Sequence, residues 1–150
     1  MNTPRHSVSV AAVITDDHGR ALLIQRRDNR HWEPPGGVLE LAETIQDGLR
    51  REVAEETGLE IEPIALTGVY KNMPRGIVAL VFRCKTTGGA LAARQEVAAF
   101  RWVGLDEIPE LADQAYAARV LDAMHHDQPP AVRAHDGVQL LAQDSTTSRT

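Results

Sequence analysis

The chain has 150 residues, 43% hydrophobic and 25% charged, enough apolar material for one packed domain and too much for wholesale disorder. Its net charge of -5, from 16 Lys and Arg against 21 Asp and Glu, leaves no broad basic field for a nucleic-acid polymer; a phosphate-rich ligand is compatible with that balance through a metal cation as go-between. The single cysteine, Cys84, excludes a disulfide framework and multi-Cys zinc sites, and no apolar run approaches the roughly 20 residues that span a bilayer.

Met1-Asn2-Thr3-Pro4-Arg5-His6 leads into alternating Ser and Val, unlike the apolar core of a signal peptide, so a cytoplasmic protein without membrane contact is expected. Residues 7–15 alternate and then run apolar, as a strand entering a core does. Asp16-Asp17-His18-Gly19 is turn chemistry, and Ala21–Gln25 is a second strand, so the first two strands are expected to form a hairpin. Around Trp32-Glu33-Pro34-Pro35-Gly36-Gly37 the paired prolines and glycines argue against regular structure.

Thr44 with Asp47 three residues on resembles a capping box, Ile45, Leu49 and Val53 form an i, i+4, i+8 stripe, and Gly58 sits where a C-terminal cap glycine belongs. These signals place a helix at about 45–57. Strands are expected near 61–71, 76–85 and 96–103, with Thr86-Thr87-Gly88-Gly89 as a turn. A short helical turn follows around Pro109, then a second helix over 113–126. The domain is read as 6–126. Residues 127–150 read as a polar tail, partly ordered, with one short strand near Val138–Leu141. Strands interleaved with two helices suggest an α/β sandwich on a mixed β-sheet.

Glu52, Glu55 and Glu56 are spaced i, i+3, i+4 and project from one side of the first helix. At about 100° per residue, with Ile45 at zero, Leu49 falls near 40°, Glu52 near -20° and Glu56 near +20°. Glutamates are good helix formers and usually face water, yet these two lie along the apolar stripe. Carboxylates held so close and partly out of water repel each other. A cation relieves that repulsion, and hard oxygen ligands in this number suit Mg²⁺ or Mn²⁺.

The wider spacing goes further. From Gly37 the chain runs five residues to Glu43, seven to Arg51-Glu52-Val53, one to Glu55-Glu56 and one to Gly58-Leu59. Seven fixed residues at about 6% each, with two apolar positions, give chance odds below about one in a million. This stretch, 37–59, resembles the Nudix box with every defining position filled. The likeness extends to the Trp32-x-Pro34-Pro35-Gly36-Gly37 lead-in and, downstream, to Glu96, Phe100-x-Trp102-Val103 and Asp106-Glu107-Ile108-Pro109, and covers about 12–126.

The resemblance implies a Nudix-type α/β/α sandwich that cleaves nucleoside diphosphates linked to another group, using Mg²⁺ or Mn²⁺ while water attacks a phosphorus. It implies Glu52 and Glu56 as main metal ligands, Glu55 as a further one, Gly37 through its carbonyl and Glu96 as a distal candidate. Arg51 would orient Glu52 and pair with Glu43 two turns back, and Gly58 would close the helix. The chemistry suits these residue types, because pyrophosphate repels hydroxide until its charge is neutralised and a nearby carboxylate can take the proton of the attacking water. Glu52 is the favoured base, with Glu96 the alternative.

Other residues carry weaker signals. The histidines at 6, 18, 31, 125, 126 and 135 show no metal-ligand spacing and read as surface residues. Cys84 reads as an inert, at least half-buried thiol. Trp32 either stacks on a base or anchors its loop. Arg27, with Arg26 and Arg30, either meets ligand phosphates or faces solvent. Pro74 lies 15 residues past Leu59, a placement that in the family accompanies ADP-ribose pyrophosphatases. A nucleotide sugar such as ADP-ribose is therefore the favoured substrate. A nucleoside triphosphate, oxidised or not, is the alternative. A ligand-sensing module without turnover is the reading of another class, although such modules commonly lose a box glutamate and none is missing here. Many relatives in the family are dimers, so a second copy of the chain is a candidate partner.

Overall fold

Along the first strand the side chains alternate strictly between two cores. Val10, Ala12 and Ile14 enter one cluster, Ala11 and Val13 the other, as a pleated strand buried on both faces requires. The computed structural model describes residues 2–125 and 127–142. In chain order the elements are β1 (Ser7–Ile14), β2 (Ala21–Arg26), β3 (Trp32–Glu33), β4 (Gly36–Val38), α1 (Ile45–Thr57), β5 (Leu59–Asn72), β6 (Ile77–Gly89), β7 (Val97–Val103), α2 (Ile108–Leu111), α3 (Gln114–Ala123) and β8 (Ala131–His135). A five-stranded mixed sheet runs β4-β1-β6-β5-β8, with β1 parallel to β6 and β5 parallel to β8. A three-stranded antiparallel sheet runs β3-β2-β7.

Helix α1 packs Leu49 and Val53 with Val10, Ile14 and Phe82. On the opposite side, α2 and α3 bring Ile108, Val120 and Ala123 against Val13, Tyr70 and Val81. The result is an α/β/α sandwich. Each fully buried Leu or Val contributes about 1.5–3 kcal/mol, so the two residues of α1 alone hold the helix firmly on the sheet.

The expected hairpin of the first two strands does not form. Both edges of β1 are taken, by β4 and β6, so β2 is bridged only to Thr15 just past its end and founds the second sheet with β7. The Pro-Pro-Gly-Gly stretch is also more regular than expected. Its prolines separate two short strands belonging to different sheets, and the free carbonyl of Pro35 accepts the Ala12 N–H at 2.8 Å. The expected turn at 86–89 is strand instead, because β5 starts straight after α1 and pairs Leu59 with Gly89.

Two more expectations change. The late strand lies at Ala131–His135, beside β5, and Leu140 contributes only a bridge. His135 is fully buried at its end and is not a surface residue. Its signal was hidden because pairing with β5 is long-range. His126 and the terminal residues 143–150 lie outside the described residues. Cys84 is buried, and burial pushes its thiol up to about 12, so it is inert at neutral pH. No helix among the described residues is long and apolar enough to cross a membrane.

Candidate active site

The site grows from the meeting of β4 with α1. Thr44 caps the helix by accepting the Asp47 N–H at 3.1 Å, and Gly58 ends it at φ 84° with its N–H on the Ala54 carbonyl. The buried arc of α1 is Gly48, Leu49, Val53 and Thr57, while Ile45 is partly exposed. The arc is therefore rotated from the expected stripe, and Glu52 and Glu56 stand along its border. That position half-buries their carboxylates without sealing them off.

Gly36 and Gly37 bring the backbone of β4 against those carboxylates. A β-carbon on Gly37 would sit 2.3 Å from Glu52 Oε2, and one on Gly36 would sit 2.2 Å from the Val10 carbonyl. The Gly36 N–H donates to Glu56 Oε1 at 2.7 Å. Burial raises the Glu52 carboxyl. It pushes Glu56 up to about 8, with the charges of Glu52 and Glu33 adding to the effect and the Gly36 N–H opposing it. Among the described residues Glu56 pairs with no cation at ion-pair distance.

Arg51 organises the remainder. Nη2 and Nε bind Glu43 at 2.7 and 2.9 Å, Nη1 reaches Glu52 at 3.0 Å and Glu55 at 3.2 Å, and Nη2 also donates to the Val38 carbonyl at 3.2 Å. The bidentate contact pulls the Glu43 carboxyl down to about 2.

Glu96 lies just before β7 and borders the same cleft as Glu52, Glu55 and Glu56. A larger space of about 560 Å³ opens beside it, between Glu56, Glu96, Arg26 and Arg27. The Arg27 guanidinium is committed to the carbonyls of Gln95 at 2.8 Å and Val97 at 3.0 Å. In this arrangement it positions the segment carrying Glu96. Trp32 and Pro74 meet at a second space of about 510 Å³, and Arg26 and Asp28 border both spaces.

Two residues, Glu33 and Gly48, escaped the sequence reading, and Arg26, read there only as meeting phosphates or facing solvent, gains a definite place. Arg26 grips Asp28 at 2.7 and 3.0 Å and stands between the two spaces. Glu33 is a half-buried carboxylate raised by burial, and its charge is felt at Glu56. Gly48 lets the loop before α1 lie on the helix, since a β-carbon there would sit 2.4 Å from Leu39 Cδ1 and 2.8 Å from Glu43 Oε1. A glycine inside a helix costs about 1 kcal/mol against alanine, and that local cost was the available signal for a close approach.

The donor set is hard oxygen throughout, which suits Mg²⁺ or Mn²⁺. No group of three His, Cys, Asp or Glu among the described residues is already drawn together as a metal cage. Arg51 accounts for part of that spread, since it holds Glu52 and Glu55. The half-buried Glu56, without a cation, is the donor that fits a dication best.

A family model described as the NUDIX domain matches residues 5–124. The chain belongs to the Nudix family. A MutT-like protein of Streptomyces ambofaciens is 54% identical over 138 residues, 92% of this chain and 89% of that protein. An ADP-ribose pyrophosphatase of Methanocaldococcus jannaschii is 34% identical over 113 residues, 71% of this chain and 66% of that protein. The crystal structure of an ADP-ribose pyrophosphatase from Streptococcus suis superposes with a TM-score of 0.71 at 24% identity, covering 87% of this chain and 100% of that one. That likeness carries the fold. The protein is thus a Nudix hydrolase acting on pyrophosphate bonds.

Proposed function

We propose that this Nudix hydrolase cleaves the pyrophosphate of a nucleoside diphosphate joined to another group, with ADP-ribose the favoured substrate. The observation that carries this reading is the gathering of Glu52, Glu55, Glu56 and Glu96 around one cleft, which shares Glu56 and Glu96 with the 560 Å³ space that in turn shares Arg26 and Asp28 with the space holding Trp32 and Pro74. The similarity to the Methanocaldococcus pyrophosphatase supports it. Glu52, Glu55, Glu56 and the Gly37 carbonyl are the residues that would hold Mg²⁺ or Mn²⁺, with Glu96 at the rim. A dication held there would supply charge neutralisation at the pyrophosphate oxygens and a lowered pKa for water.

The chain's own residues do the rest. Glu52 takes a proton from water as the water oxygen bonds to phosphorus and the bridging P–O bond breaks, leaving two phosphate products. Glu52 is half-buried in the cleft and held by Arg51 at 3.0 Å, which supports it as the base over the exposed Glu96. Arg51 fixes Glu52, and Glu43 fixes Arg51. Arg27 holds the Glu96 segment. The partner is a small nucleotide-derived molecule in the cytoplasm, with no polymer or membrane; a homodimer is its expected form.

The test is a product assay over ADP-ribose, other nucleotide sugars, dinucleoside polyphosphates and canonical and 8-oxo nucleoside triphosphates, with Mg²⁺, Mn²⁺ or EDTA. Metal-dependent AMP and ribose 5-phosphate from ADP-ribose is the expected result. Nucleoside monophosphate and pyrophosphate from a triphosphate would replace the substrate but keep the chemistry. Silence across the panel with a folded protein would point to a substrate outside the panel first and to the sensing module second.

A further inference from the structure

The family match ends at residue 124, yet the second space does not. Its wall includes Trp32, Asn72, Arg75 and Tyr116, and also Asp136 and Val138. One side of this cavity, which meets the space beside the carboxylates at Arg26 and Asp28, is therefore built from chain that the matched family region does not contain.

That side is rigidly made. β8 pairs with β5 and sets His135 opposite Asn72. The buried His135 accepts the Gly137 N–H on Nδ1 at 3.0 Å. Asp136 Oδ1 accepts the N–H groups of Val138 and Gln139 at 2.9 and 2.8 Å. The Val138 carbonyl accepts the Ala115 N–H at 2.8 Å, and the Leu140 N–H donates to Gln114 Oε1 at 2.8 Å. Gly137 turns at φ 105°, where a side chain is strained. The turn is thus tied to β5 and to the start of α3. Val138 is nonetheless half exposed at the cavity.

The facing polar groups have unspent capacity. Asn72 is 7% exposed, and its Oδ1 accepts the Arg75 N–H at 3.3 Å. A backbone N–H can only donate, so the amide orientation is fixed and Nδ2, beside Gly137, keeps its donors free among the described residues. Arg119 is buried, its Nε has no partner among the described residues, and it stacks 4.6 Å from the Tyr116 ring centroid, which steadies that ring. Two aromatic walls, a fixed amide donor and a carboxylate at Asp136 are complementary to a flat heteroaromatic base with mixed edges and to ribose hydroxyls.

We infer that residues 136–138 together with Asn72 form the selectivity wall of the substrate site. The cavity takes the nucleoside end, its base against Trp32 and Tyr116 and its edge on Asn72 Nδ2, while Arg26 at the junction meets the adjoining phosphate. The inference rests on the hydrolase reading for what lies next door, but its test is a binding measurement that needs no turnover.

The experiment is calorimetry of the whole chain with AMP, GMP, CMP and UMP, each against ribose 5-phosphate, for wild type, Val138→Trp and Asn72→Ala, with circular dichroism to check folding. At least one nucleotide should bind about tenfold or more tightly than ribose 5-phosphate. Val138→Trp, a surface change that fills the cavity, should collapse that ratio towards one, as should Asn72→Ala. A wild-type ratio of one overturns the inference, and so does a ratio that survives Val138→Trp. A ratio that survives Asn72→Ala alone overturns the role given to that amide. If the ratio holds while the hydrolysis panel is silent, the proposed substrate fails and this wall stands. Hydrolysis with a ratio of one gives the reverse.

Discussion

Arg51 holds Glu43 with two nitrogens, at 2.7 and 2.9 Å, and with the third reaches Glu52 at 3.0 Å. A planar fork can satisfy both carboxylates at once, whereas an ammonium on a flexible stem cannot. Arg51→Lys keeps the charge and loses the geometry. It should lower kcat by about 10–100-fold, the usual cost of losing a group that orients a ligand. Arg51 is partly exposed, so circular dichroism and Tm should change little. A kcat within twofold of wild type would show that the fork does not orient Glu52.

Gly37 tests the same carboxylate from the other side. An alanine β-carbon would occupy space 2.3 Å from Glu52 Oε2, so the carboxylate must move. A displacement of about 1 Å at a reacting group can cost about 100-fold in rate. Gly37→Ala should therefore reduce kcat by about that factor while leaving the cooperative unfolding transition intact. Unchanged kcat would mean that Glu52 does not work from this position.

How much of this was legible follows from the range of each interaction. The caps of α1, its buried Leu49 and Val53, and the box glutamates are local signals, and all stand where the chain order puts them. The rotation of the buried arc, with Ile45 left out, depends on which sheet residues face the helix, so the wheel alone missed it. The division into two sheets was invisible for a similar reason. The pairing of β1 with β4 on one edge and with β6, far along the chain, on the other denies β2 its expected partner. Glu33, Arg26 and the buried His135 acquire meaning from neighbours that no short window contains. Gly48 was different, because its helix-weakening cost was visible and simply lacked a partner to explain it.

Glu56 gives a prediction about metal that does not depend on turnover. Its half-buried carboxylate sits among like charges, and glutamine removes the charge while keeping an acceptor for the Gly36 N–H. Without added metal, Glu56→Gln should melt at or above the wild-type temperature. A ligand at about 100 times its Kd stabilises the fold that binds it by about 2.7 kcal/mol, so Mn²⁺ should raise the wild-type Tm by several degrees. The variant should show little of that rise and should lose activity by several orders of magnitude. An equal Mn²⁺ shift in both proteins would remove Glu56 from the ligand set.

His135 predicts a pH dependence of stability. Its Nδ1 must accept the Gly137 N–H, so a neutral ring carries its proton on Nε2, facing another donor, Arg119 Nη2, at 3.5 Å. Burial first and the Arg119 charge second hold its pKa below the usual 6.5. Below about pH 6.5 the unfolded chain therefore takes up a proton that the folded chain refuses. Stability from this group is complete above that pH and declines as pH falls towards the folded value, by at most about 1.4 kcal/mol per pH unit. Glu56, raised to about 8, acts in the opposite direction over part of the same range, since its folded form resists ionisation as pH rises. The comparison of wild type with His135→Gln in EDTA, by urea midpoint from about pH 5 to about pH 7.5, separates the two. The variant should be less stable than wild type near pH 7.5, and the gap should narrow towards pH 5. A gap that stays constant across the range would show that His135 does not titrate between the two states.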